Sequence, residues 1–304
     1  MEPSAIVRAL SQIFQEFDVV PANARSGALP LEVNCGAFQL SCDLVPNRHE
    51  FIGATATWLG QLPAQLYVEA LSVANSLNRE HPWPAVSLVP ERNKDLLDVL
   101  HDDAGVLNAQ AQIVHPLPVD EGQWRSFAAS AVASGVVLSQ AFSDAFPDYE
   151  SGQPLHTVIT PGPVYFPGVT RDRVRQWFSE RGFPDIPFNE EDECFNLSLH
   201  NSPVDIVLRN SEVFEVRVAA ALPGQGSGSG EADPATAVHV ANRLHSLAPL
   251  ARASVVQEDH RWWVVSSCAV PLGAGVNDYQ LDLLVHQGIM QSATLLRAIM
   301  HRVQ

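Results

Sequence analysis

Apolar residues along this chain keep two rhythms, one helical and one alternating, and the whole sequence of rhythms comes round twice. Between Ser4 and about Phe17, Ile6, Val7, Leu10, Ile13 and Phe14 fall at helical spacing. Between Thr170 and Arg181, Val174, Trp177 and Phe178 do the same. There Thr170 suits the N-cap, Asp172 the first turn, and Gly182 the position where a glycine closes a helix. Alternation then takes over, which predicts strands. In the first half it runs over 31–35, 38–44 and 51–58. In the second, Phe195, Leu197 and Leu199 alternate with Asn196 and Ser198. Ile206 and Leu208 follow, and then Phe214, Val216 and Val218 alternate with Glu215 and Arg217. His200-Asn201-Ser202-Pro203 reads as a turn, as do Pro46-Asn47-Arg48 and Arg209-Asn210-Ser211. This spacing matches Asn47 to Asn210 and Phe51 to Phe214.

A middle helix is predicted over 66–77 and again over 234–247, the second with Asp233 as N-cap and Pro234 at the first helical position. Two strands come next in each half, at 83–89 and 106–114 and at 253–257 and 261–270, followed by Pro116 and Pro271. Long helices close the halves, over 120–146 and 277–303. The predicted fold is α+β, two tandem copies of an α-β-β-β-α-β-β-α domain. The first spans 1–147, a proline-rich linker 148–169, and the second 170–304. The first copy carries an insertion at 91–104 whose Asp98, His101, Asp102 and Asp103 suggest a solvated segment. The second carries a Gly/Ser tract at 224–230, read as a flexible loop.

The segment Val-Ala-Asn-x-Leu occurs in both middle helices, at 73–77 and 240–244. With the repeated element order, it makes the chain resemble a tandem pair of the YbjN family. That family is described as bacterial sensory transduction regulators and is similar in fold to the type III secretion chaperones. The resemblance covers nearly the whole chain. It implies an antiparallel sheet packed against helices and a role in binding proteins rather than catalysis, and it carries over no catalytic residue.

Composition narrows the classes of function. With 304 residues, 46% of them hydrophobic, the chain is long enough for two domains with separate cores. Its net charge of −16, from 34 acidic and 18 basic residues, argues against nucleic-acid binding and against anionic membrane surfaces. Cys35, Cys42, Cys194 and Cys268 form no C-x-x-C pair and suggest a reducing, cytoplasmic setting. The N-terminus lacks the basic and apolar regions of a signal peptide. No stretch reads as a membrane span. The closing helix is the most apolar segment, but Asp282, His286, Gln287, Gln291 and Arg297 interrupt it.

The chain carries no catalytic or cofactor pattern. The glycine tract has neither phosphate-loop nor dinucleotide spacing. No nucleophile elbow occurs. His239 and His245 stand six apart, and His101-Asp102-Asp103 would need further ligands to hold a metal. The acidic run Glu190–Glu193 reads as a solvated strand entrance. The expectation is therefore no cofactor, no metal and no enzyme. Trp262 and Trp263, adjacent on one strand, point to opposite faces of the sheet, which makes them the candidate partner-binding residues. The predicted function is a protein-binding or chaperone-like regulatory module for a protein or peptide client. Its two copies would pair with each other in imitation of a homodimer, or form one. The alternative is a small-ligand sensor or an enzyme of unrecognised type, which would require a concave apolar pocket.

Overall fold

The computed structural model describes residues 2–17, 19, 21–22, 27–91, 96–100, 102, 104–149, 152, 164–199, 202–209, 213–223, 232–245 and 248–303. The chain divides into two compact units. One comprises Met1–Leu77 with Pro84–Val164, the other Asn78–Trp83 with Tyr165–Gln304.

The first unit runs α1 (Pro3–Glu16), β1 (Leu31–Asn34), β2 (Phe38–Val45), β3 (Arg48–Trp58), β4 (Leu62–Pro63), α2 (Tyr67–Glu80), β5 (Ala85–Pro90), α3 (Leu96–Leu100), β6 (Val106–Pro116) and α4 (Glu121–Ala145). Its antiparallel sheet has the order β1-β2-β3-β6-β5, with the short β4 pairing with β6 beyond the end of β3. Helix α4 lies on β2, β3 and β6. Asp120 starts it by accepting from the Gln123 amide at 2.8 Å, while Gln123 Oε1 accepts from the Val119 amide at 2.9 Å. Contact with the sheet is close at Gly135, where a Cβ would stand 2.2 Å from the Phe38 ring. Further along, buried Trp58 meets Phe142 with ring centroids 5.7 Å apart, and Phe146 continues the cluster at 5.9 Å.

The second unit runs α5 (Arg171–Glu180), β7 (Phe188–Asn189), β8 (Cys194–Leu199), β9 (Ser202–Arg209), β10 (Val213–Ala221), α6 (Pro234–Leu244), β11 (Arg252–Glu258), β12 (Arg261–Pro271) and α7 (Asp278–Val303). The sheet order is β7-β8-β9-β10-β12-β11, all antiparallel. Without β7, this is the first unit's order again. Helix α7 lies on β10 and β12, and α6 packs beside α7 and against β11. At Gly288 a Cβ would stand 2.7 Å from the Val216 side chain. The helix ends follow the sequence. Thr170 accepts from the Arg173 amide, and Asp233 accepts from Ala235 and Thr236. Gly182 adopts φ +84° and closes α5, with its amide on Ser179 and the Phe183 amide on Phe178.

Both units are therefore α+β, each an antiparallel sheet packed against helices, with the order α-β-β-β-α-β-β-α present in each. Several expectations need correction. The 91–104 insertion is not wholly solvated, because it forms α3 and buries Val99. Ser202 and Pro203 do not belong to a turn. They begin β9, with Pro203 opposite Ser198. Ile52, not Phe51, matches Phe214: both stand on the helix-facing side, Ile52 paired with His115 and Phe214 with Val270. The most apolar long helix is α4 rather than α7, and by length and composition alone it could cross a membrane, although over half of that window is buried in the unit. The Gly/Ser tract 224–230, His101, Asp103, Asn210 and most of the 148–169 linker lie outside the described residues.

Candidate functional site

Trp262 and Trp263 take opposite faces of the second sheet, as strand alternation requires, and both are half-buried. Trp262 stands opposite Gln257 and its carbonyl accepts from the Leu222 amide. Trp263 sits between Ala221 and Val256 on the face away from α7.

That face carries a polar row with one residue from each of the strands β8 to β12: Asn196, Asp205, Arg217, Ser267 and Arg252. Asn196 Nδ2 donates to Asp205 Oδ1 at 2.8 Å. Glu215, only 1% exposed, takes Arg217 on one oxygen at 2.9 Å and Arg252 on the other at 3.3 Å. Arg252 also donates from Nε to Ser267 Oγ at 2.9 Å and from Nη1 to the His81 carbonyl. Glu215 thus joins Arg217 to Arg252, and the row ties strands β8 to β11 to one another.

A second polar cleft, of about 170 Å³, separates α5 from the start of α7. Arg173 reaches the carbonyls of Pro167, Gly168 and Val276 and pairs with Asp278 at 2.8 Å. Trp177 Nε1 donates to Asp282 at 3.0 Å, and Arg181 lies 4.1 Å over the Trp177 ring and pairs with the same Asp282. These contacts clamp α5 to α7 and, like the row above, they satisfy one another.

The third feature differs in kind. Beneath the C-terminal half of α7, at the far end of the sheet, Leu199, Ser202, Val218, Ala220, Ala293, Leu296, Arg297 and Met300 line a half-open groove of about 220 Å³. Its cause is legible in the register. In the first unit β2 is eight residues long and begins with Phe38, which stands opposite Trp58 at the end of β3. In the second unit β9 is also eight residues long and begins with Ser202. The β9–β10 register ends with Val204 against Val218, and Ser202 and Ala220, each two residues beyond that pair, both line the groove. Two ring-bearing residues are thus replaced by a serine and an alanine at the same place in the fold. The first unit fills the space under its last helix with its own rings, and the second leaves it open. Sequence reasoning passed over this difference, although the run Ala219-Ala220-Ala221 at the end of β10 carried it.

Other sequence candidates do not gather into a site. In the acidic run, the Glu191 and Asp192 amides fold back onto Asn189 Oδ1, and Glu190 pairs with Arg171. Among the described residues no three His, Cys, Asp or Glu side chains are placed to hold a metal. The four cysteines are buried free thiols. Burial pushes Cys35 up to about 11 and Cys268 to about 12, which suppresses thiolate near neutral pH. His115, in the first unit, is 1% exposed, donates from Nδ1 to the Pro116 carbonyl at 2.6 Å, and lies 6.3 Å from the Phe127 ring. Burial holds its imidazole down at about 4.

No protein-family model matches the chain, and no curated protein matches it. Among solved structures, the chain is similar to YbjN of E. coli, a candidate transcription regulator. The TM-score is 0.34 and the identity 18%, over 44% of this chain and 95% of that one. It is also similar to the Yersinia pestis type III secretion chaperone SycH, solved in complex with a stable fragment of YscM2. There the TM-score is 0.26 and the identity 16%, over 41% of this chain and 97% of that one. Both are distant likenesses of fold, each spanning less than half of the chain.

Proposed function

We propose that the chain is a non-catalytic protein-binding module, and that the groove of the second unit receives a side chain from a protein client. The open groove, at a position the first unit fills with Phe38 and Trp58, carries this reading. An apolar hollow under a rigid helix and sheet is the kind of pocket in which an interface anchor residue is desolvated. Its size separates this reading from a small-ligand sensor. Ligand pockets run to roughly 300–1,000 Å³, whereas about 220 Å³ suits one or two side chains. The clusters around Glu215 and Asp282 are ion-paired sets that hold neighbouring strands and helices together.

The test is affinity capture with the full-length chain and with Ala220→Trp, which refills the hollow from within. Circular dichroism confirms that the variant is folded. The expected result is a client held by the natural sequence and lost by the variant. Recovery of the same proteins by both would remove the groove from the interface and the reading with it.

A further inference from the structure

The chemistry of the groove specifies its occupant more closely, granted the reading above. The geometry points to a client segment that presents one aromatic side chain next to an acidic residue.

The aromatic half comes from the first unit, which shows what this place in the fold accepts. There an indole and a phenyl ring stand opposite each other under the last helix, with Trp58 fully buried and in contact with Phe142. The second unit keeps the roof and walls and lacks the rings. Leu199, Val218, Ala220, Leu296 and Met300 supply apolar surface for a flat side chain, and Met300 adds a polarisable thioether. Leu199, 37% exposed, is one of the few large apolar residues left open in this unit.

The acidic half comes from Arg297. Its guanidinium is exposed at the groove, and among the described residues it has no ion-pair partner. His301 and Arg302 follow within the last turn of α7, and no acidic residue lies between Arg297 and the end of the helix. In a chain of net charge −16 this is a local basic rim. A carboxylate flanking the inserted ring would meet it with charge-assisted hydrogen bonds. A basic flank would be repelled, which gives the groove selectivity as well as affinity.

The chain contains three methionines, of which Met300 lines the groove and Met290, 50% exposed, does not. Full-length protein labelled with ¹³C at the methionine methyls therefore carries a probe and its own control. The acetylated, amidated tripeptide Asp-Trp-Asp should shift the Met300 signal saturably and leave Met290 in place. Asp-Ala-Asp should do neither, and Lys-Trp-Lys should bind at least about tenfold more weakly. Ala220→Trp and, independently, Ser202→Phe should abolish the shift, each restoring one of the rings of the first unit. Arg297→Glu should reverse the preference toward Lys-Trp-Lys.

A Met300 signal unmoved by Asp-Trp-Asp overturns the assignment, as does an equal response to Asp-Ala-Asp or a response that persists in both filled variants. Preference for Lys-Trp-Lys, or binding that needs no ring, refutes the acidic aromatic occupant alone. A client lost on Ala220→Trp in the capture experiment would then still uphold the groove as the binding site.

Discussion

A buried histidine gives the first unit a sensitivity to acid. His115 is neutral inside the fold, and its folded value of about 4 lies below the 6.5 of an exposed imidazole. Above pH 6.5 neither the folded nor the unfolded chain holds the proton, and the full stability is present. Below 6.5 the unfolded chain takes it up and the folded one does not, so stability falls by about 1.4 kcal/mol per pH unit, to a total of about 3 kcal/mol near pH 4. Chemical denaturation of the first unit should show this slope between pH 6.5 and 4.5, and His115→Asn should flatten it. A second residue-scale expectation concerns Glu215. Its removal leaves Arg252 buried without its carboxylate, so Glu215→Ala should cost about 3–5 kcal/mol in denaturant unfolding of the second unit. Neither residue stood out in the sequence. His115 ends an alternating strand like any other polar residue there, and Glu215 reads as the exposed partner of Val216. Their roles depend on what lies above and below the sheet, which strand periodicity does not encode.

Elements were far more legible than residues. Helix spacing, capping residues and strand alternation are local, so α5 with Thr170 and Gly182, α6 with Asp233, and both closing helices lie within a few residues of their predicted bounds. The strands β4 and β7 were invisible because two residues carry no period. Helix α3 was hidden inside an acidic stretch, although its Leu96 and Val99 are buried. The one-residue shift between Phe51 and Ile52 arose at a bulge, where the register slips between Leu44 and Val45. The contact between a closing helix and its sheet can be tested directly. Gly135→Ala places a methyl 2.2 Å from the Phe38 ring, and the overpacking should cost about 1–3 kcal/mol. The start of α7 offers a milder test. There Asn277 and Gln280 each accept from the other's amide, and Asn277→Ala should lower stability by about 1 kcal/mol. Both effects are read from urea midpoints.

At the scale of the whole molecule, the repetition of element order was legible because it is a sum over many weak local signals. The groove was not, because it exists only as a difference between two copies. Phe38 and Trp58 look like ordinary core residues until Ser202 and Ala220 are set beside them. Net charge also belongs to this scale. At a sequence pI near 5.0 the excess of 16 negative charges is lost, and turbidity should be greatest there, just where protonation of the unfolded chain weakens the first unit. Helix α4 adds a requirement of timing. A segment apolar enough for a bilayer is a hazard for as long as nothing covers it. In both halves of this chain the strands precede the closing helix, so a ribosome delivers the sheet before the helix that must be sheltered on it. A circular permutant that places residues 121–145 at the N-terminus should therefore reach the same final fold on slow refolding, yet aggregate or partition to membranes during synthesis.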